Sequence, residues 1–148
     1  MDKLYEIIRQ ADGDVVCIVN DMGTLRSYPL PHIVYHSPTG FECGYPGSGP
    51  ADLALSILAD FYGAGDAAMQ ARIHAFTDDD ALYSMGGEFA LTGEFRAADD
   101  AVRHHQAFKE KFIATTRLKE GESRRIDESA IKAWLLGRAT VEEGVSHA

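Results

Sequence analysis

The sequence predicts an α+β domain in which a small antiparallel sheet, formed by the N-terminal half, packs against three to four helices. Three observations indicate this class. A β-branched run at residues 15–19 is bounded by turn residues, apolar residues recur at helical spacing after Pro50, and 45% of the 148 residues are apolar. This length and composition favour one domain over residues 1–148.

The N-terminal strands are predicted from short apolar runs separated by turns. Residues 2–10 fit either a helix or a strand, because Leu4, Ile7 and Ile8 are compatible with both periods. Residues 15–19 lie between two clusters of Asp, Asn and Gly and predict a strand. Further short strands are expected at 24–28, 32–35 and 41–45.

The helices are predicted from their caps and from apolar spacing. The first should span residues 50–62, because Pro50 suits the first helical position, with Ser48 or Gly49 as its cap, and Gly63 suits the stop. Further helices are expected at 67–76, at 97–115 with Asp99 or Asp100 as the cap, and after a cap at Asp127, where Trp134 and Leu135 should point inward.

Composition excludes several classes of protein. The net charge of −9 argues against tight binding to a nucleic-acid duplex, although residues 96–138 carry ten Lys and Arg against seven Asp and Glu. The rest of the chain carries four Lys and Arg against sixteen Asp and Glu. Apolar runs are too short for a membrane span, and the N-terminus lacks a signal-peptide pattern, so a cytoplasmic protein is expected. Two cysteines make neither a disulfide framework nor a zinc knuckle.

A glycine-rich loop precedes the first predicted helix and is the strongest functional signal. Residues 44–49 read Gly-Tyr-Pro-Gly-Ser-Gly. Amides at a helix start lack partners within the helix and lie at the positive end of its dipole, so Gly47, Ser48 and Gly49 predict an anion site. The alternative is a tight turn whose glycines only permit close packing. The patterns of NTPase phosphate loops, dinucleotide-binding loops and serine-hydrolase elbows are absent.

Further candidate ligand-binding residues lie outside these three positions. His36 offers a hydrogen-bond donor or an acid–base group, unless it is only a turn residue, and Tyr45 offers a ring for stacking on a base. Arg117, Arg124 and Arg125 offer guanidinium groups for phosphate, the alternative being solvated surface charge. No activated nucleophile accompanies them, so the protein is expected to be a binder without catalytic residues or cofactor.

No metal site is expected from the histidines. His104 and His105 are adjacent on a predicted helix and cannot both face one metal ion, and His105 lies on the apolar stripe of that helix. A position in the core or at its edge is therefore expected for His105.

Residues 36–58, from His-Ser-Pro-Thr-Gly-Phe-Glu to the end of the apolar run, resemble the signature of a family of small uncharacterised proteins from bacteria and their phages. The resemblance covers residues 14–63 and 104–136, including the Phe108-Lys109 pair. Cys43 stands where that family usually has Trp, and Pro46 where it usually has Gly. Residues 64–102 are longer than usual, which suggests an inserted lid, an oligomer contact or a separate partner surface.

More distantly, the chain resembles phage anti-Thoeris sponge proteins, which sequester cyclic ADP-ribose-type immune signals and, in some members, cyclic oligonucleotides. This resemblance implies an oligomeric anti-defence protein whose ligand is a small phosphorylated nucleotide, and it assigns no ligand residue in this chain. The excess of acidic residues outside 96–138 supports an alternative, in which the protein is an inhibitor that binds a host defence protein directly.

Overall fold

The computed structural model describes residues 2–75 and 93–147 and confirms the α+β class. An antiparallel sheet has the strand order β3-β2-β1-β4. Its strands are β1 (Lys3–Arg9), β2 (Val15–Asp21), β3 (Arg26–Pro29) and β4 (Ser123–Asp127). The helices are α1 (Ser48–Tyr62), α2 (Asp66–Ala75), α3 (Gly93–Phe108), which continues into a π-helical turn (Lys109–Ile113), and α4 (Glu128–His147).

The sheet differs from expectation in where its strands come from. Residues 2–10 form β1, which pairs with β2 on one side and with β4 on the other, so one strand comes from the C-terminal part of the chain. The prediction of a strand at residues 32–35 is wrong. Residues 41–45 form no strand either, and only Phe41 makes an isolated β-bridge, to Val15. Residues 32–35 do not join the sheet because side chains of α1 bind their backbone amides.

Alternation along the strands places the helices on one face of the sheet. Tyr5 and Ile7 of β1 and Val19 of β2 are fully buried, whereas the residues between them are only partly covered. The Tyr5 hydroxyl donates to Asp60 of α1 at 2.6 Å, which shows that α1 packs against this buried face.

Helix α1 is buried on all sides over residues 49–59 and carries a polar stripe. Asp52, Ser56 and Asp60 recur every four residues and therefore share one helix face. Ser56 Oγ accepts the Ile33 amide at 2.9 Å. The partners of Asp60 are Lys3 Nζ at 3.1 Å, Tyr5 Oη at 2.6 Å and Tyr28 Oη at 2.5 Å. The hydrogen bonds of this stripe therefore hold the sheet and the loop after β3 against α1.

The helix ends agree with the local signals in part. Gly63, with φ +77°, ends α1 as expected, and α1 starts two residues before the expected position. Asp127 Oδ1 accepts the Ala130 amide at 2.8 Å, which confirms the cap of α4. Helix α3 begins at Gly93, so a cap at Asp99 or Asp100 is wrong. Of the segment 64–102, residues 76–92 lie outside the described residues.

Within the described residues, no helix is both long enough and apolar enough to cross a membrane.

Candidate functional site

A buried carboxylate on α1 organises residues 32–37, which we call the histidine loop. Asp52 is fully buried, and it accepts the backbone amides of His36 at 2.8 Å, Ser37 at 2.9 Å and Tyr35 at 3.3 Å. His32 Nε2 lies 2.9 Å from Oδ2 of the same carboxylate. Consecutive amides that converge on one anion form a compact nest. Asp52 therefore sets the backbone of the histidine loop beside the first turns of α1.

The histidine loop meets α3 through two imidazoles. His36 Nε2 lies 3.1 Å from His105 Nε2, and His105 Nδ1 lies 2.6 Å from the Val102 carbonyl oxygen. The Tyr35 ring stacks on His36 with centroids 4.3 Å apart. Burial lowers the pKa of His105, which is consistent with its place on the apolar stripe of α3.

The glycine loop, residues 43–49, is held against the turn that follows α3. Gly44 has φ +87° and donates its amide to the Ile113 carbonyl at 3.0 Å. A Cβ at Gly44 would lie 3.2 Å from the Thr116 carbonyl oxygen, and one at Gly49 would lie 2.8 Å from Glu42 Cβ. Positive φ and close packing therefore explain these two glycines.

The first turn of α1 presents amides that the protein does not use. The Gly47 amide donates to the Tyr45 carbonyl at 3.2 Å. Within residues 2–75 and 93–147, no protein group accepts the amides of Ser48 and Gly49, and no side chain caps the helix. Ser48 is exposed, and the Tyr45 ring, itself 49% exposed, covers the α-carbon of Gly47. Gly49 is buried against Glu42, so the arrangement offers one exposed donor, the Ser48 amide, beside an open aromatic ring.

A cationic cleft lies on the other side of Gly44. Its volume is about 300 Å³, and it is lined by Arg9, Cys43, Gly44, Arg117, Leu118, Lys119 and Glu122. Arg9 Nη2 pairs with Glu42 Oε1 at 2.9 Å, and Arg9 Nε donates to the Leu118 carbonyl at 2.8 Å. Arg9 therefore fixes the wall of the cleft, while Arg117 and Lys119 are exposed.

The two neighbouring arginines of β4 are not brought together. Arg124 is half-buried on the helix-facing side, where Nη1 donates to the Phe112 carbonyl at 2.7 Å and to Thr116 Oγ1 at 2.5 Å. Arg125 is 69% exposed on the opposite side and pairs with Glu6 at 3.1 Å. Successive side chains of a strand point to opposite faces, so the expected joint grip of both arginines on one phosphate is wrong.

Six of the eight candidate residues flank the first turns of α1. Gly47 precedes α1 as its N-cap, Ser48 and Gly49 are its first two residues, and the Tyr45 ring rests on Gly47. Arg117 lies against Gly44. His36 is bound by Asp52, one helical turn after Ser48 on the same face. Arg124 supports the turn that carries Arg117, and Arg125 lies across the sheet.

Sequence reasoning missed three residues that build this region, Asp52, Arg9 and His105. A signal existed for Asp52, because a carboxylate four residues before Ser56 in an otherwise apolar helix must find buried hydrogen-bond partners. Arg9 and His105 carried no such signal, since their partners lie 33 and 69 residues away in the chain.

The described residues contain no group of three or more His, Cys, Asp or Glu side chains placed to hold a metal ion. The chemistry that this region offers is hydrogen bonding from amides, guanidinium groups and imidazoles, together with the accessible aromatic rings of Tyr35 and Tyr45.

The chain belongs to DUF6166, a family of unknown function, whose model matches residues 5–94. The match contains the 36–58 motif, the glycine loop and the histidine loop, and it ends before His105 and Arg117. No curated protein and no solved structure matches the chain.

Proposed function

We propose that this protein binds and sequesters a small phosphorylated nucleotide at the first turn of α1, without turnover. The observation that carries the proposal is the exposed Ser48 amide, which lacks a protein acceptor within the described residues and follows Gly47, on which the half-exposed ring of Tyr45 rests. The Gly49 amide also lacks an acceptor there but is buried.

Phosphate oxygens would be held by the start of α1 and by the neighbouring cations. Amides at a helix start combine directed donors with the positive end of the helix dipole. Arg117 contacts Gly44 from the cleft side and adds a guanidinium group, which matches the geometry of phosphate. The carboxylate of Glu42 lies nearby, but its pairing with Arg9 offsets its charge.

The base would stack on Tyr45. Its ring rests on Gly47 and is 49% exposed. Stacking of a base on an aromatic side chain contributes about 1–3 kcal/mol and tolerates different bases. A ligand with both phosphate and base would therefore use the helix start and this ring together.

The resemblance to anti-Thoeris sponge proteins supports a more specific role. In that role the protein is a phage-type anti-defence factor in the host cytosol, and an oligomer of it withdraws cyclic ADP-ribose-like or cyclic oligonucleotide signals. Sequestration needs tight binding and no catalytic group.

Isothermal titration with cyclic ADP-ribose isomers and with cyclic di- and trinucleotides tests the proposal. Ser48→Pro is the informative variant, because Ser48 is the first residue of α1, where proline is tolerated, and the extended backbone of Gly47 suits a residue before proline. The change removes one amide donor and leaves the helix intact. We expect affinity to fall about 10- to 100-fold, the value of one hydrogen bond to a charged group.

The controls separate the amide from the side chain and from general charge. Ser48→Ala keeps the amide and should bind like the parent. Arg117→Ala should weaken binding, whereas Arg125→Ala removes the same charge on the far side of the sheet and should not. Absence of heat with every nucleotide, or equal affinity for Ser48→Pro and Ser48→Ala, would refute this site.

The uneven charge of the chain supports one alternative, an inhibitor that masks a basic surface of a host defence protein. Outside residues 96–138 the chain contains sixteen acidic residues and four basic ones. A purified complex with one such protein that dissociates at high salt, combined with no nucleotide binding, would favour this alternative.

A further inference from the structure

We propose that His36 and His105 form a single-proton lock between the histidine loop and α3. The pair stays hydrogen-bonded when it carries no added proton or one, and it separates when both imidazoles are charged. The inference does not depend on the proposed ligand.

The hydrogen-bond partners define where the protons lie. The Val102 carbonyl oxygen can only accept, so His105 Nδ1, at 2.6 Å, must carry a proton. Neutral His105 therefore presents a lone pair at Nε2. His36 Nε2, 3.1 Å away, must be the donor to that lone pair. The two tautomers are assigned by this chain of partners.

The ring geometry suits one shared proton. The planes of His36 and His105 are 23° apart, which is compatible with an in-plane N–H···N bond. The Tyr35 ring stacks on His36 and reaches His105, with centroids 6.1 Å apart. Tyr35 therefore moves with the contact between the loop and α3 and can report on it.

The first and the second added proton have opposite effects. A proton on His36 Nδ1 leaves the Nε2–H donor in place and makes the bond charge-assisted, which strengthens it. A proton on His105 Nε2 places two N–H groups face to face at 3.1 Å, and the bond is lost. Two adjacent positive charges then repel each other as well.

The surroundings favour the locked state near neutral pH. Burial is the largest cause that lowers the pKa of His105, and the charge of Lys109 and proximity of His36 act in the same direction. The hydrogen bond to the Val102 carbonyl and the charge of Asp52 act in the opposite direction, but burial outweighs them and the pKa of His105 is lowered. The Asp52 carboxylate is also engaged by His32 and by loop amides. Protonation of His105 therefore requires a pH below the ordinary imidazole value of about 6.5.

Imidazole nitrogen NMR on the ligand-free protein tests the lock. At pH 8 we expect His105 to be protonated at Nδ1 and His36 at Nε2. On acidification, the cross-peak between the Tyr35 and His105 rings should persist until His105 gains its second proton and then disappear. A His105 that is protonated at Nε2 at pH 8, or a cross-peak that survives charging of both rings, would overturn the proposal.

Two variants separate the lock from loss of structure. The amide of His36→Gln can either donate to His105 Nε2 or accept from it, so this variant should keep the Tyr35–His105 cross-peak within twofold from pH 8 to pH 5. His36→Ala should weaken the cross-peak at every pH. His74→Gln, at an exposed position of α2, should behave like the parent. If the His36→Gln variant loses the cross-peak at the same pH as the parent protein, the proposal is wrong, and Asp52 or another group controls the conformation of the histidine loop.

Discussion

Replacing Asp52 by Asn should destabilise this protein more than any exposed charge change. The carboxylate is fully buried and receives three backbone amides of the histidine loop, with His32 Nε2 as a fourth neighbour. An asparagine side chain offers one oxygen with two lone pairs and turns an NH₂ group towards the remaining donors. At least two donors then lose their acceptor, at about 1–3 kcal/mol each.

We therefore expect Asp52→Asn to lower the free energy of unfolding by about 3 kcal/mol, a large fraction of the roughly 5–15 kcal/mol of a typical domain. Urea unfolding followed by circular dichroism measures the loss from the midpoint. Glu120→Gln removes the same charge at an exposed position and is the matched control. A difference below about 0.5 kcal/mol between the two variants would show that Asp52 does not clamp the loop.

Two further predictions follow from buried polar groups. Arg124→Ala leaves Thr116 Oγ1 without its donor and the Phe112 carbonyl with only the Thr116 hydroxyl, so it should lower the free energy of unfolding by about 2 kcal/mol. Arg125→Ala should change it by less than about 0.5 kcal/mol, and equal urea midpoints for the two variants would contradict this. Burial raises the pKa of Cys17 from 9 to about 12 and also raises that of Cys43. Because the thiolate is the reactive form, the Cys17 thiol at pH 8 should react with a thiol-specific reagent roughly 1,000-fold more slowly than the same thiol in the unfolded chain. Unfolded thiols ionise first, so the free energy of unfolding should fall as the pH rises from about 9 towards 12. Fast labelling of the folded protein at pH 8 would refute the burial argument.

Local signals predicted helix ends in α1, α2 and α4 because caps and stops act within a few residues, whereas the start of α3 was predicted four residues too late. Helix α2 begins one residue before its predicted start, Gly63 ends α1, and Asp127 caps α4 through its own side chain. These features depend on backbone groups nearby in the chain, so the residues that encode them lie together in the sequence.

The strands were predicted less well because pairing is decided at a distance. Residues 123–127 are mostly polar and showed no strand pattern, yet they form β4 along the edge of β1. Residues 32–35 looked like a strand and became a loop, because Asp52 and Ser56 compete for their amides.

The site shows the same division between local and distant signals. The glycine loop and its position before α1 were visible in the sequence, as was the exposed Tyr45 beside it. That Arg124 and Arg125 point to opposite faces of the sheet could be predicted only if residues 123–127 were recognised as a strand. Asp52 was not among the candidate residues, although it is the centre of the histidine loop.

The sequence by itself determined the α+β class, the end of α1 at Gly63, the cap of α4 at Asp127 and the glycine loop before α1, because periodicity and capping are properties of short segments. Only the tertiary structure decided which side chains meet. His36 contacts His105 across 69 residues, and Arg125 pairs with Glu6 across 119. Such contacts form because core burial brings distant segments together, and neither partner's local sequence reveals the identity of the other.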